Sequence, residues 1–93
     1  MSLIVKRTSR FIKDVQRLTA QNKDLRLLEE VVTKLAAGEV LAPEYRDHKL
    51  KGEFNMFREC HVAPDWLLIY YVDVKVLVLT LSRTGSHSTL FKK

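Results

Sequence analysis

The chain has 93 residues, 46% of them hydrophobic and 29% charged, and a formal net charge of +5. That length suits one soluble domain, 1–93, with a modest core, and the composition excludes a disordered chain. The longest apolar run, Trp66 to Val72, is too short to span a bilayer, so no membrane role is expected.

Cys60 is the sole cysteine, which rules out an internal disulfide and points to a reducing, cytoplasmic setting. Residues 1–34 carry eight Lys or Arg against four Asp or Glu, or +4, while the remainder carries only +1. A positive surface speeds encounter with polyanions, nucleic acid first and acidic proteins second.

In chain order, Leu3-Ile4-Val5 predicts a short first strand. Thr8 or Ser9 then caps a helix with Phe11, Ile12, Val15 and Leu18 on its apolar side. Arg10, Lys13, Asp14 and Arg17 are assigned to its polar side. A break at Gln21-Asn22-Lys23 precedes a second helix capped by Asp24, carrying Leu25, Leu28, Val31, Val32 and Leu35 and stopped at Gly38. Residues 39–52, with Pro43, Gly52 and many charges, read as a loop. Alternation from Glu53 to Val62 predicts a strand, and Ala63-Pro64-Asp65 a tight turn. Trp66 to Val72, apolar on both parities, predicts a central strand. A hairpin turn at Asp73-Val74 leads to a last strand, Lys75 to Arg83, in which Leu77, Leu79, Leu81 and Arg83 share one parity. The expected fold is α+β, β-α-α-β-β-β, a mainly antiparallel sheet with a helical hairpin packed on it.

Chemistry gathers around the three histidines, His48, His61 and His87, none of which occupies a core-like position. The 63–65 turn lies at one end of the meander and the 73–74 turn at the other. The last strand therefore runs back toward the first turn, bringing Arg83 and His87 to the side of His61 and Asp65. That set suits RNA cleavage. RNA supplies its own nucleophile, the 2′-hydroxyl, so an enzyme needs a base, an acid for the departing 5′-oxygen, and a phosphate holder. Imidazole, which ordinarily titrates near pH 6.5, serves either proton transfer, and the planar fork of arginine serves the phosphate. Trp66 and Phe91 offer faces for stacking bases.

Each residue also has a plainer use. Trp66 serves equally as a core anchor, Phe91 as cover for a sheet edge, and Arg83 as an ion-pair partner of Glu59 or Asp65. Cys60, on the apolar parity, reads as an inert core thiol. A zinc site from His48, His61, Asp65 and His87 would match no strong spacing motif, and the chain has no glycine-rich phosphate loop. No metal or cofactor is expected.

Three blocks carry a family resemblance: Tyr45-Arg46-Asp47-His48-Lys49-Leu50-Lys51-Gly52, then Phe57 to Tyr70 with Arg58-Glu59-Cys60-His61-Val62-Ala63-Pro64-Asp65-Trp66, then Arg83-Thr84-Gly85-Ser86-His87-Ser88-Thr89-Leu90-Phe91. In that order they resemble the YafQ-type toxins of the RelE/ParE toxin–antitoxin superfamily, over nearly the whole chain. The resemblance implies a RelE-like fold and metal-free cleavage of mRNA on the ribosome. It also implies a cognate antitoxin, with operator DNA bound only by the toxin–antitoxin complex. By match to the motifs, His48, His61, Asp65, Arg83 and His87 would be catalytic, with His87 a principal proton-transfer residue and Arg83 on the phosphate. Trp66, Phe91, Arg46, Lys49 and Lys51 would contact RNA. Which histidine is acid and which is base stays open. A gyrase-poisoning toxin of the ParE type, or a module that only binds nucleic acid or antitoxin, is the competing reading.

Overall fold

Two long helices lie on one face of a five-stranded sheet in the computed structural model, which describes residues 2–91. The elements are β1 (Ile4–Arg7), α1 (Ser9–Ala20), α2 (Leu25–Ala36), β2 (His48–Lys49), β3 (Arg58–Ala63), β4 (Trp66–Asp73), β5 (Val78–Gly85) and a short α3 (His87–Leu90). The sheet order is β1-β5-β4-β3-β2, antiparallel except for the parallel β1–β5 pair. The α+β class and RelE-like order stand as expected. No helix is long and apolar enough to cross a membrane among the described residues.

The helices begin where capping chemistry dictates. The Thr8 side chain accepts the Phe11 N–H and the Asp24 carboxylate accepts the Arg26 N–H, each satisfying a donor that a helix start leaves orphaned. The break between them takes Asn22 at φ 60°, and Gly38 at φ 80° follows α2, where a left-handed residue costs glycine least. Phe11 and Leu18 from α1 meet Leu28, Val31 and Leu35 from α2, and with Cys60, Val62, Trp66, Leu68, Tyr70, Leu79 and Leu81 they form the core. Ile12 departs from its assigned side and is 46% exposed, whereas Asp14 is buried at 1% exposure. The reason is geometric: with Phe11, Val15 and Leu18, position 14 completes an i, i+3, i+4, i+7 stripe.

Several boundaries move. Residues 53–57 are not strand: Gly52–Phe54 is a 3₁₀ turn and β3 begins at Arg58. Phe54 and Met56 are accordingly exposed. The supposed loop contains β2, which pairs His48 with Glu59 and Lys49 with Arg58. The hairpin after β4 is longer than a two-residue turn. Val74 to Leu77 lie in it, with Leu77 at φ 56°, so β5 starts at Val78 rather than Lys75.

One bulge decides the site. Ile69 pairs with Arg83 and Tyr70 with Leu81, so Ser82 is the extra residue in β5. Strict alternation would place Arg83 on the helix face with Leu79 and Leu81. The bulge instead turns it to the open face beside Ile69 and leaves Thr84 inward.

Candidate active site

The open face carries two cross-strand rows. His61, Leu67 and Gly85 form one; His48, Glu59, Ile69 and Arg83 form the other. Strands lie about 4.8 Å apart; the first row crosses three strands and the second four, with Leu67 and Ile69 in their interiors. At 0% and 8% exposure these two are buried, so the face is free of α1 and α2 without being bare to solvent.

The end of β5 delivers the third histidine. Gly85 is favoured by its backbone, at a φ of 153° that L side chains rarely adopt, and a Cβ there would also crowd Arg17 Nη2 at 3.2 Å. Ser86 then caps α3, accepting the Thr89 N–H, and His87 opens that turn. The His87 ring centroid lies 6.0 Å from that of His61 and 6.3 Å from that of Phe91. Asp65 Oδ1 sits 3.4 Å from both the backbone N and Nδ1 of His87. His61, Asp65, His87 and Phe91 thus come together at one sheet end, as antiparallel connectivity requires. With Nδ1 facing a carboxylate, Nε2 of His87 is the nitrogen free to exchange a proton with a substrate.

His48 stands across β3. Its Nδ1 lies 2.7 Å from the Arg46 carbonyl oxygen, and its Nε2 lies 3.3 Å from Oε2 of Glu59. Arg46 adopts a left-handed φ of 50°, which turns its carbonyl toward the ring. Asp47, between them, accepts the Tyr70 hydroxyl at 2.5 Å and the Arg58 Nη2 at 3.2 Å, locking this segment to β3 and β4. Burial and then the Asp47 hydrogen bond push the Tyr70 phenol well above its ordinary range, so it stays a donor. Arg46 also lines a cavity of about 430 Å³ with Tyr45, His61 and Pro64. Lys49, on the edge strand β2, and Lys51, just after it, are both exposed.

Arg83 and Trp66 differ from their expected settings. Arg83 pairs with neither Glu59 nor Asp65. Its Nε and Nη2 donate to the two oxygens of Asp14 at 2.7 and 3.1 Å. It also lines a cavity of about 360 Å³ with Arg10, Ile69, Leu90 and Phe91. Trp66 is only 5% exposed and its Nε1 donates to Thr84 Oγ1 at 2.9 Å, so the ring is a core anchor without a face to offer a base. Asp14 itself was missed by sequence reasoning, as was the Glu59 partner of His48. The 11-14-15-18 stripe signals the first, and the shared parity of Glu59 and His61 signals the second.

Cys60 is fully buried, and desolvation pushes its thiol up to about 12. Among the described residues, no group of three or more His, Cys, Asp or Glu side chains is placed to hold a metal ion.

A family profile described as the bacterial toxin of a type II toxin–antitoxin system, YafQ, matches residues 3–92. This chain belongs to the YafQ toxin family. Within that family it is 36% identical over 85 residues to the mRNA interferase toxin YafQ of Escherichia coli K12, covering 90% of each chain. Its fold matches a toxin from Helicobacter pylori, solved with metal bound, at TM-score 0.90 and 46% identity, over 96% of this chain and 99% of that one. It also matches YafQ in the E. coli DinJ–YafQ toxin–antitoxin complex, at TM-score 0.88 and 33% identity over 98% and 99%.

Proposed function

We propose that this toxin is an endoribonuclease that cuts mRNA on the ribosome by metal-free acid/base catalysis. The observation that carries the reading is the meeting of His61, Asp65 and His87 at one rim of the open face. The 2′-oxygen attacks the adjacent phosphorus as it loses its proton. The bond from phosphorus to the 5′-oxygen breaks with its electron pair on that oxygen, which takes up a proton. The products are a 2′,3′-cyclic phosphate and a free 5′-hydroxyl.

His87, held by Asp65 through Nδ1, is a principal proton-transfer residue, and His61 or His48 supplies the complementary step. Arg83 holds the phosphate, and Phe91, beside His87, packs against the substrate. Arg46, Lys49 and Lys51 extend a positive rim along β2 for the RNA backbone. Trp66 supports the site from beneath by fixing Thr84. The cytoplasm, where ribosomes and mRNA meet, is the site of action. The partner is a cognate antitoxin, as DinJ is for the E. coli protein, and operator DNA is bound only by the joint complex.

The test is a map of transcript 5′ ends in cells expressing the chain without its antitoxin. New ends should appear in translated regions with the wild type and vanish with His87→Ala. Unchanged ends alongside broken chromosomal DNA would instead establish a gyrase poison, and no new ends with intact DNA would leave a binding module.

A further inference from the structure

Asp14 is the most deeply buried charged side chain described, at 1% exposure, and it sits on α1, far in sequence from every catalytic candidate. It accepts four hydrogen bonds: Arg83 Nε at 2.7 Å, Arg83 Nη2 at 3.1 Å, the Thr84 backbone N–H at 3.0 Å and Arg17 Nη2 at 2.9 Å. Burial raises the carboxyl, but the bonds from Arg83, Thr84 and Arg17, with the charge of Arg83, outweigh it and hold Asp14 below the usual carboxylate range.

A buried ion pair is an inefficient way to gain stability, since apolar replacements often do as well or better; its distinctive product is a fixed geometry. Here the geometry is specific. A guanidinium has five N–H donors in a plane. Asp14 takes the side-on edge, formed by Nε and Nη2. The end-on edge, formed by Nη1 and the second Nη2 hydrogen, stays available and can bind two oxygens of one phosphate.

The geometry points to Asp14 as a positioning residue for the cleavage reaction: it clamps one edge of Arg83 so that the other edge is aimed, preformed, at the scissile phosphate. Arg83 borders the cavity with Phe91, which itself lies beside His87. The same carboxylate holds Thr84 N–H, on the strand end that delivers His87 two residues after Gly85. Two parts of the site are thereby referenced to one atom group on α1. The inference rests on the RNase reading above.

The experiment measures single-turnover cleavage of mRNA in programmed ribosomes by purified wild type, Asp14→Asn, Arg83→Ala and the double variant, at a temperature where all are folded. Asn keeps the shape but cannot accept both guanidinium donors. Asp14→Asn should slow cleavage at saturating substrate on the order of 10²-fold, the scale on which misplacing a catalytic group acts. The double variant should be no slower than Arg83→Ala, because Asp14 acts through Arg83. Sulfur at one non-bridging oxygen of the scissile phosphate should slow the wild type for one stereoisomer, and that preference should disappear in both single variants. A structural role would not move it.

Losses that multiply in the double variant, an undiminished Asp14→Asn rate, or a retained stereoisomer preference would overturn the proposal while leaving the RNase reading intact. Wild-type cleavage by both His87→Ala and Arg83→Ala would overturn the reading itself and the proposal with it. Should Asp14→Asn not fold, Arg83→Lys decides. It leaves Asp14 and the charge in place but has no fork, so it should cleave nearly as slowly as Arg83→Ala; a wild-type rate overturns the proposal.

Discussion

The two ends of the β4–β5 hairpin are built on opposite principles. At the site end, the polar groups that support it are buried and paired: Asp14 with Arg83 and Thr84, Thr84 Oγ1 with the Leu67 carbonyl, Trp66 with Thr84. At the far end, Val74, Val76 and Leu77 are exposed, and Leu77 is held at a positive φ that its side chain disfavours. One end spends polar burial on placing functional groups; the other leaves apolar side chains in water and tolerates backbone strain. Precision is concentrated where the candidate chemistry lies, and the opposite end has only to reverse the chain.

The sharpest way to break this contrast is His87→Ala. Cleavage should fall by about 10²–10⁴-fold, the usual contribution of a positioned acid or base, with almost no change in thermal unfolding because the ring is exposed. Equal losses of stability and activity would mean that the site end is structural after all.

Next in size is Asp14→Ala, which leaves the partly buried Arg83 without its counter-charge. A loss of about 3–5 kcal/mol is expected in denaturant unfolding, a large share of the stability of a small domain. Its pH signature follows from sign. Asp14 is held below its ordinary value of 3.8, so its contribution is fully present above that value and fades as pH falls through the lowered one. Acid titration should therefore narrow the stability gap between wild type and Asp14→Ala below about pH 4, whereas a gap constant with pH would contradict the ion-pair account.

Trp66→Phe keeps the apolar anchor and removes one buried hydrogen bond, for a loss of about 1–2 kcal/mol. Its cleavage rate should change little, because the ring has no face toward substrate; a large loss of RNA binding would restore the stacking role. At the far end, Leu77→Gly relieves the positive φ and should change stability by no more than about 1 kcal/mol, toward greater stability, with cleavage untouched. Cys60 reports on the intervening core: with its thiol pushed up to about 12, alkylation at pH 8 should proceed only as fast as the domain opens. Rapid labelling of the native protein would show that the sheet end breathes.

Local chemistry is largely legible in this sequence. The caps at Thr8 and Asp24, the stop at Gly38, the turn at Pro64 and the apolar run of β4 all follow from side chains acting on their own backbone. Antiparallel connectivity alone brings His61, Asp65 and His87 to one end. The stripe of α1 was legible too, yet a carboxylate within it argues against its own burial until its partners are known.

What the sequence by itself determined, then, is the order of elements, most of the core-facing stripes and the meeting of His61 with His87, because period and connectivity are properties of the chain. Only the tertiary structure decided how Arg83 is used. A single extra residue, Ser82, reverses the parity of β5, and no pattern within the strand announces it, since a bulge is defined by its partner strand. The burial of Asp14 depends likewise on groups 69 and 70 positions away, Arg83 and Thr84. An ion pair of that kind exists only once helix and strand edge have been brought together, which is why Arg83 could be named from the sequence but its orientation could not.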